Sequence, residues 1–416
     1  VADINSGGVE NIQDTIVVGT RLFFTANDGT NGDEMWTHET TNDSTWMVAD
    51  IRTNNGVGGS EPADYMAVGT RIFFAATNNS SDRELWAHEM SNNSTWRVAD
   101  ITDGSQTVYL LSALGTRLFF NANDGTNGSQ LWVHETTNDS TWMAADINTG
   151  GGSSPSGRTT LGTRFYFSAN DGNGADLWAY EVTNESFWKI EDLTSASTGS
   201  YRGFLSMGTR LYYAGINGTV SEIWAYETTN DTTWQVTNVS VGSVGWGYHQ
   251  PHHLTAIGSQ IIFTITTSAS FQSLWIHDTT NETTWNASLI DISWSDTSQP
   301  FANVGTRLFF QIGTASNGNE LGAFEITNES SWMVDDIWSG AGHGNPNHIV
   351  AMEPYLFFQA NDGTISGLFA YDPIGVTVND PNNGPVTNAT CEISPTLPTG
   401  ITLTQGTCTI SGTPSV

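Results

Sequence analysis

Residues 19–51 read GTRLFFTANDGTNGDEMWTHETTNDSTWMVADI. The stretch holds three landmarks: GTRLFF at 19–24, EMWTHE at 34–39 and VADI at 48–51. All three return along the chain with a period of about 47 residues. The first recurs as GTRIFF (69–74), GTRLFF (115–120), GTRFYF (162–167), GTRLYY (208–213), GSQIIF (258–263), GTRLFF (305–310) and, worn, EPYLFF (353–358). The second recurs as ELWAHE, QLWVHE, DLWAYE, EIWAYE, SLWIHD, ELGAFE and GLFAYD, and the third stands also at 1–4 and 98–101 with five looser copies. Each landmark therefore occurs eight times.

Within a unit, short runs of β-branched and aromatic residues alternate with Gly, Asn, Asp and Thr turns, which is the pattern of strands and hairpins. No helical period appears. Each unit is read as four strands, A to D; in the second unit these are YMAVG, TRIFFAAT, ELWAHEM and TWRVADI. Four-stranded units of about 40–50 residues predict an all-β fold, an eight-bladed β-propeller. Stacked blades bury both faces of B and C, in line with their nearly continuous apolar runs.

Seven units run on into a Trp-containing D strand, but the last, after LFAYD at 368–372, runs into PIGVTVND. The missing strand is expected from the chain start, VADI at 1–4, which would complete the eighth blade and leave no open edge. The propeller is thus expected over residues 1–376, with a separate module at 377–416.

Arg recurs on strand B at 21, 71, 117, 164, 210 and 307, and Glu on strand C of the same units at 39, 89, 135, 181, 227 and 325. Their spacing about the hairpin sets them opposite each other. A partly buried, forked Arg–Glu pair is expected, as a structural feature.

These motifs resemble the ELWxxDGT-repeat family, whose units run through a DG turn, ELW, then DGT and a strand ending in DI. ANDGTNGDEMW and VADI carry the likeness, clearest in the first four units. ETTNDSTW stands where the family has DGT. The resemblance implies a propeller-like surface or secreted protein and no particular reaction. The tail, ISPTLPTGITLTQGTCTISGTPSV, resembles the front half of a putative-Ig, cadherin-like module.

The replacement segment carries a sequon in every C–D turn: Asn42, Asn92, Asn138, Asn184, Asn230, Asn281 and Asn328, each with Trp four residues on. The middle residue and the Ser/Thr drift while the N-x-[ST] rule holds. A turn asks for Asn or Asp but no hydroxyl two residues later, so the pattern is read as seven N-glycan acceptors. C–D and A–B turns share one propeller face, so the glycans would crown it.

Lys and Arg total 12 and Asp and Glu 43, for a net charge of −31. That excludes nucleic acid as a partner. No apolar run is long enough for a membrane span. The chain begins with Val, taken as following a removed leader, and Cys391 and Cys408 are expected to form a disulfide in a secreted chain. Five histidines fall in two D–A loops: His249, His252 and His253 beside Trp246, and His343 and His348. A zinc site there and Ca²⁺ in the Asn-Asp-Gly turns are weighed and set below contact loops and plain hairpins. No cofactor is expected beyond covalent glycans, with Ca²⁺ the one open possibility.

No nucleophile elbow, phosphate loop or acid–base pair stands out. The expected function is therefore non-catalytic: a glycosylated extracellular subunit of a cell surface or filament, partnering itself or other surface proteins and glycans. The alternatives are an adhesin binding sugars or proteins through the loops near Trp246 and, third, a polysaccharide-active enzyme.

Overall fold

The computed structural model describes residues 4–5, 12–53, 58–78, 82–101, 107–191, 203–217, 220–239, 251–268, 271–287, 292–293, 301–314, 316–352, 355–373, 401–404 and 409–412. Among them there is no helix. The first blade is a meander of β1 (Gln13–Val18), β2 (Arg21–Asn27), β3 (Asp33–Glu39) and β4 (Ser44–Ala49), hydrogen-bonded in that order. Seven further sheets repeat the order; the sixth gains a short extra strand and the eighth has three described strands.

Alternation along the central strands builds the core. Leu22 and Phe24 on β2 face back to the eighth blade, joining Phe357 and Leu368. Phe23 faces forward, against Ile72 and Phe74 of the second. Every strand-B run is buried in this two-sided way, so each blade is glued to both neighbours by burial of large side chains. The described apolar residues form eight clusters, each spanning one junction between adjacent blades, including that between the eighth and the first. The ring is closed.

The expected closing strand lies mostly outside the described residues. Ile4, which is described, packs at the eighth–first junction, the place Ile51 takes at the first–second. It sits where the end of an outer strand belongs. The tail shows a hairpin of Ile401–Thr404 with Thr409–Gly412, while Cys391 and Cys408 lie outside the described residues.

A buried carboxylate two residues before the recurrent strand-C Trp position ties strand C to the D–A connection. Glu34 accepts the Ile51 and Ser60 N–H groups at 3.2 and 2.8 Å, together with the Ser60 hydroxyl. Glu84 accepts the Ile101 N–H, Glu222 that of Val239, and Glu320 those of Ile337 and Gly344. Gln130 fills the place in the third blade, taking the Ile147 N–H. In the fourth, Asp176 pairs there with Lys189 at 3.1 Å. These connections have irregular backbone, whose buried N–H groups need an acceptor.

The turns sort by face. Thr40, Thr136 and Thr228, at the C–D turns, donate backbone N–H bonds to Thr20, Thr116 and Thr209 of the A–B turns. On the opposite face the B–C hairpins cross the D–A loops. A Cβ on Gly32 would lie 2.1 Å from the Gly59 nitrogen, and one on Gly128 2.5 Å from that of Gly152. Only glycine permits that approach.

Candidate active site at the channel mouth

The seven sequon asparagines lie exposed in seven separate turns on one face. In each, the asparagine Oδ1 accepts from the backbone N–H and hydroxyl of the Ser or Thr two residues on; for Asn42 these bonds are 3.2 and 2.6 Å. The same pair of bonds recurs at Asn92, Asn138, Asn184, Asn230, Asn281 and Asn328. This corrects the expectation that the turn has no use for the hydroxyl, because the hydroxyl closes the turn.

The Trp four residues on also has a structural partner. Arg21, Arg71, Arg117, Arg164, Arg210 and Arg307 each lie over this Trp of their own blade, at 5.2–5.8 Å. The Arg–Glu pairs stand as expected, at 3.2–3.6 Å. They are not forks. Arg21 reaches Glu39 through Nε alone, while the other Glu39 oxygen accepts the Thr41 N–H and hydroxyl. The outer guanidinium nitrogens turn to the next blade instead. Arg71 meets Asp139 at 2.8 Å and Arg117 meets Glu185 at 2.9 Å. Both acids are middle residues of the neighbouring sequon.

The other singled-out residues scatter. His38, His88, His134 and His277 are buried, each bonded to a strand-D threonine at 2.9 Å, and burial holds each below its ordinary pKa. His249 and Trp246 lie outside the described residues. His343 accepts the Asn319 N–H at 3.1 Å, and His253 packs edge-on against Phe301. Among the described residues no three potential ligands converge as a metal would require. In the Asn-Asp-Gly turn, Asp28 accepts the Thr30 and Asn31 N–H groups and the Asn31 side chain, all at 2.8 Å. The hairpin alone accounts for that aspartate.

What the motifs did not reveal lies at the channel. Strand A is the inner edge of each blade, and A strands lie side by side from the first blade to the sixth, from the seventh to the eighth and from the eighth back to the first. Near its start, at the hairpin-bearing face, strand A is bulged: the register slips between Gln13 and Ile16 in the first blade and between Ala63 and Met66 in the second. Asp14 and Asp64 occupy these two bulges with φ of 42° and 60°.

Both carboxyls are largely withdrawn from water. Burial pushes Asp14 up to about 6, and the charge of Asp64 adds to the rise; Arg83 and Arg158 pull against it. Burial also raises Asp64, offset by Arg158, Arg83 and the Leu110 N–H. The two arginines are anchored. Arg158, on the inner strand of the fourth blade, donates to the Leu110 carbonyl at 2.6 Å, and Arg83, at the start of strand C in the second, donates to that of Glu61 at 2.6 Å. Two acids and two guanidinium groups from three blades thus share one channel mouth, opposite the sequon face. Two neighbouring carboxyls, both held above their ordinary range and one of them releasing its proton near neutral pH, are the kind of groups that general acid–base chemistry uses.

No protein-family model matches the chain, and no characterised protein matches it in sequence. Solved structures do match its shape. The structure of a prolyl endopeptidase superposes with a TM-score of 0.56 at 8% identity, over 85% of this chain and 55% of the other. Puromycin hydrolase gives 0.51 at 10% identity, over 88% and 60%, and a puromycin-hydrolysing peptidase of Mycobacterium tuberculosis 0.51 at 9%, over 86% and 60%. The chain thus spans a little over half the length of these enzymes, and the likeness is one of fold: the class is the β-propeller.

These findings overturn the expectation of a non-catalytic filament or surface subunit. The solved chains superposed above are enzymes, so the fold gives no support to a non-catalytic role. The channel mouth also holds the acid pair that motif reading did not find. The adhesin alternative rested on the loop around Trp246, outside the described residues.

Proposed function

We propose that the protein is a secreted acid–base enzyme that cleaves a polysaccharide at the channel mouth. The observation that carries this reading is the pair Asp14 and Asp64 on neighbouring inner strands, with Asp14 held at about 6. Glycosidic cleavage asks for one carboxylic acid to protonate the leaving oxygen and one carboxylate to activate water or attack the sugar. Asp14 would be the first and Asp64 the second; burial raises both, and Arg83 and Arg158 draw Asp64 back toward its ionised form. The test is release of reducing ends from a panel of neutral and uronic-acid polysaccharides. Asp14→Asn and Asp64→Asn should each lower the rate about a hundredfold or more, and Arg21→Ala, on the far face, should leave it unchanged. Undiminished cleavage by the double Asp variant rejects the proposal.

N-glycosylation of the sequon asparagines belongs to the same reading. Supporting it, all seven are exposed and use only Oδ1 within their turns. Glycans there would leave the channel mouth on the opposite face open. An intact mass that deglycosylation does not change would reject this part. Membership of the ELWxxDGT repeats is likewise proposed, because the acid of ELW and the DG turn each repeat one structural task from blade to blade.

A further inference from the structure

Asp14 and Asp64 belong to a larger set. The equivalent position of six inner strands has a left-handed backbone: Asp14 (φ 42°), Asp64 (60°), Gly157 (55°), Gly203 (92°), His253 (56°) and His348 (51°). In five of these strands the position lies in a bulge, and in the fifth blade Gly203 directly precedes the strand. Blades four and five meet that conformation with glycine, which has no Cβ to clash. The other four of these blades place Asp or His there, residues that tolerate the conformation better than most but at a cost glycine avoids, and such positions cluster where a side chain is used.

Some left-handed side chains elsewhere in the chain do have such a use. The middle residues of the sequon turns are also left-handed and never glycine; Asp139 and Glu185, at 53° and 60°, hold the neighbouring Arg71 and Arg117. His253 has its contact with Phe301. The His348 side chain makes no hydrogen bond among the described residues. It stands on the inner strand Asn347–Met352 of the eighth blade, which lies beside β1 and so flanks Asp14 in the ring. Burial favours its neutral form, which can both donate and accept.

We infer that His348 is a third member of the channel-mouth site, a positioning residue that hydrogen-bonds a hydroxyl of a sugar bound against Asp14 and Asp64. The inference rests on the polysaccharide-cleaving reading above. It makes an unusual demand: replacing His348 with glycine removes strain and should not destabilise the fold, yet should weaken binding.

The experiment measures melting temperature, and binding of neutral and uronic-acid oligosaccharides by calorimetry, on the whole chain. His348→Gly is expected to melt at or above the wild-type temperature and to bind about tenfold more weakly. His348→Asn, which keeps hydrogen-bonding capacity and tolerates a left-handed backbone, should recover binding to within about threefold. A fall of more than about 4 °C for His348→Gly marks a structural histidine and overturns the inference; so does unaltered binding. Either result leaves the acid-pair reading intact if Asp14→Asn still abolishes cleavage. Failure of every oligosaccharide to bind the wild type overturns both.

Discussion

At the scale of single residues, this protein spends buried charge in two ways. Glu34 is buried for the fold: its oxygens collect N–H and hydroxyl donors that the loop cannot satisfy. Glu34→Ala should cost about 2–4 kcal/mol by leaving those donors unmet. Glu34→Gln should cost less than half as much, since Gln130 does the same task in the third blade. Urea midpoints of the two variants check this. Asp14 has no such set of donors, and its raised pKa marks a cost. Its ordinary value is 3.8 and its folded value about 6. The folded state therefore holds the proton more tightly. The stability linked to that proton is fully present below pH 3.8 and is lost as pH rises through about 6. Relief of this cost by Asp14→Asn should leave the variant roughly equal to wild type near pH 4 and about 2 kcal/mol more stable at pH 7.5, allowing for partial solvent access. Parallel stability curves for the two proteins would show that Asp14 is not buried as a charge.

At the scale of elements, each blade is fastened to the next by its turns. Arg71 and Arg117 reach from their own glutamate and tryptophan to the following sequon. On the other face, hairpin and loop touch backbone to backbone at glycines. Two substitutions separate conformational strain from that contact. Gly115, in an A–B turn, has φ of 63° and open space around its missing Cβ. Gly115→Ala should cost about 1 kcal/mol, the strain alone. Gly128 has a similar φ, 71°, but its Cβ would press on the Gly152 nitrogen. Gly128→Ala should cost about 3 kcal/mol or more, because hairpin and loop must part. Equal melting temperatures for the two would refute the crossing.

At the scale of the whole molecule, stability depends on closure. Eight junctions of similar make-up share the load, and the eighth–first junction alone joins chain segments distant in sequence. Ile4→Asp puts a charge into that junction and should cost about 2–3 kcal/mol. Hydrogen exchange should then quicken first in the eighth blade, residues 355–371, before the blades opposite. Exchange that quickens uniformly, or not at all, would exclude Ile4 from closure. The large negative charge works against compactness, and four of the strand-B arginines, Arg71, Arg117, Arg210 and Arg307, are engaged between blades.

The number of blades, the identity of their central strands, the Arg–Glu pairing and the sorting of turns by face were all legible in the sequence. They follow from interactions local to one unit, and eight copies print the same local rule eight times. The sequon pattern was legible too, yet its meaning was not: the hydroxyl has a bond to make in the turn, which only coordinates display. The channel-mouth group escaped because it lives on strand A, where copies differ most. Asp recurs at this strand-A position only in the first two blades, as Asp14 and Asp64, and Arg158 stands on a third. A slip in strand register, invisible in a linear pattern, turns each of those positions into a bulge, and only ring closure around a common axis makes residues so far apart in the chain feel one another's charge.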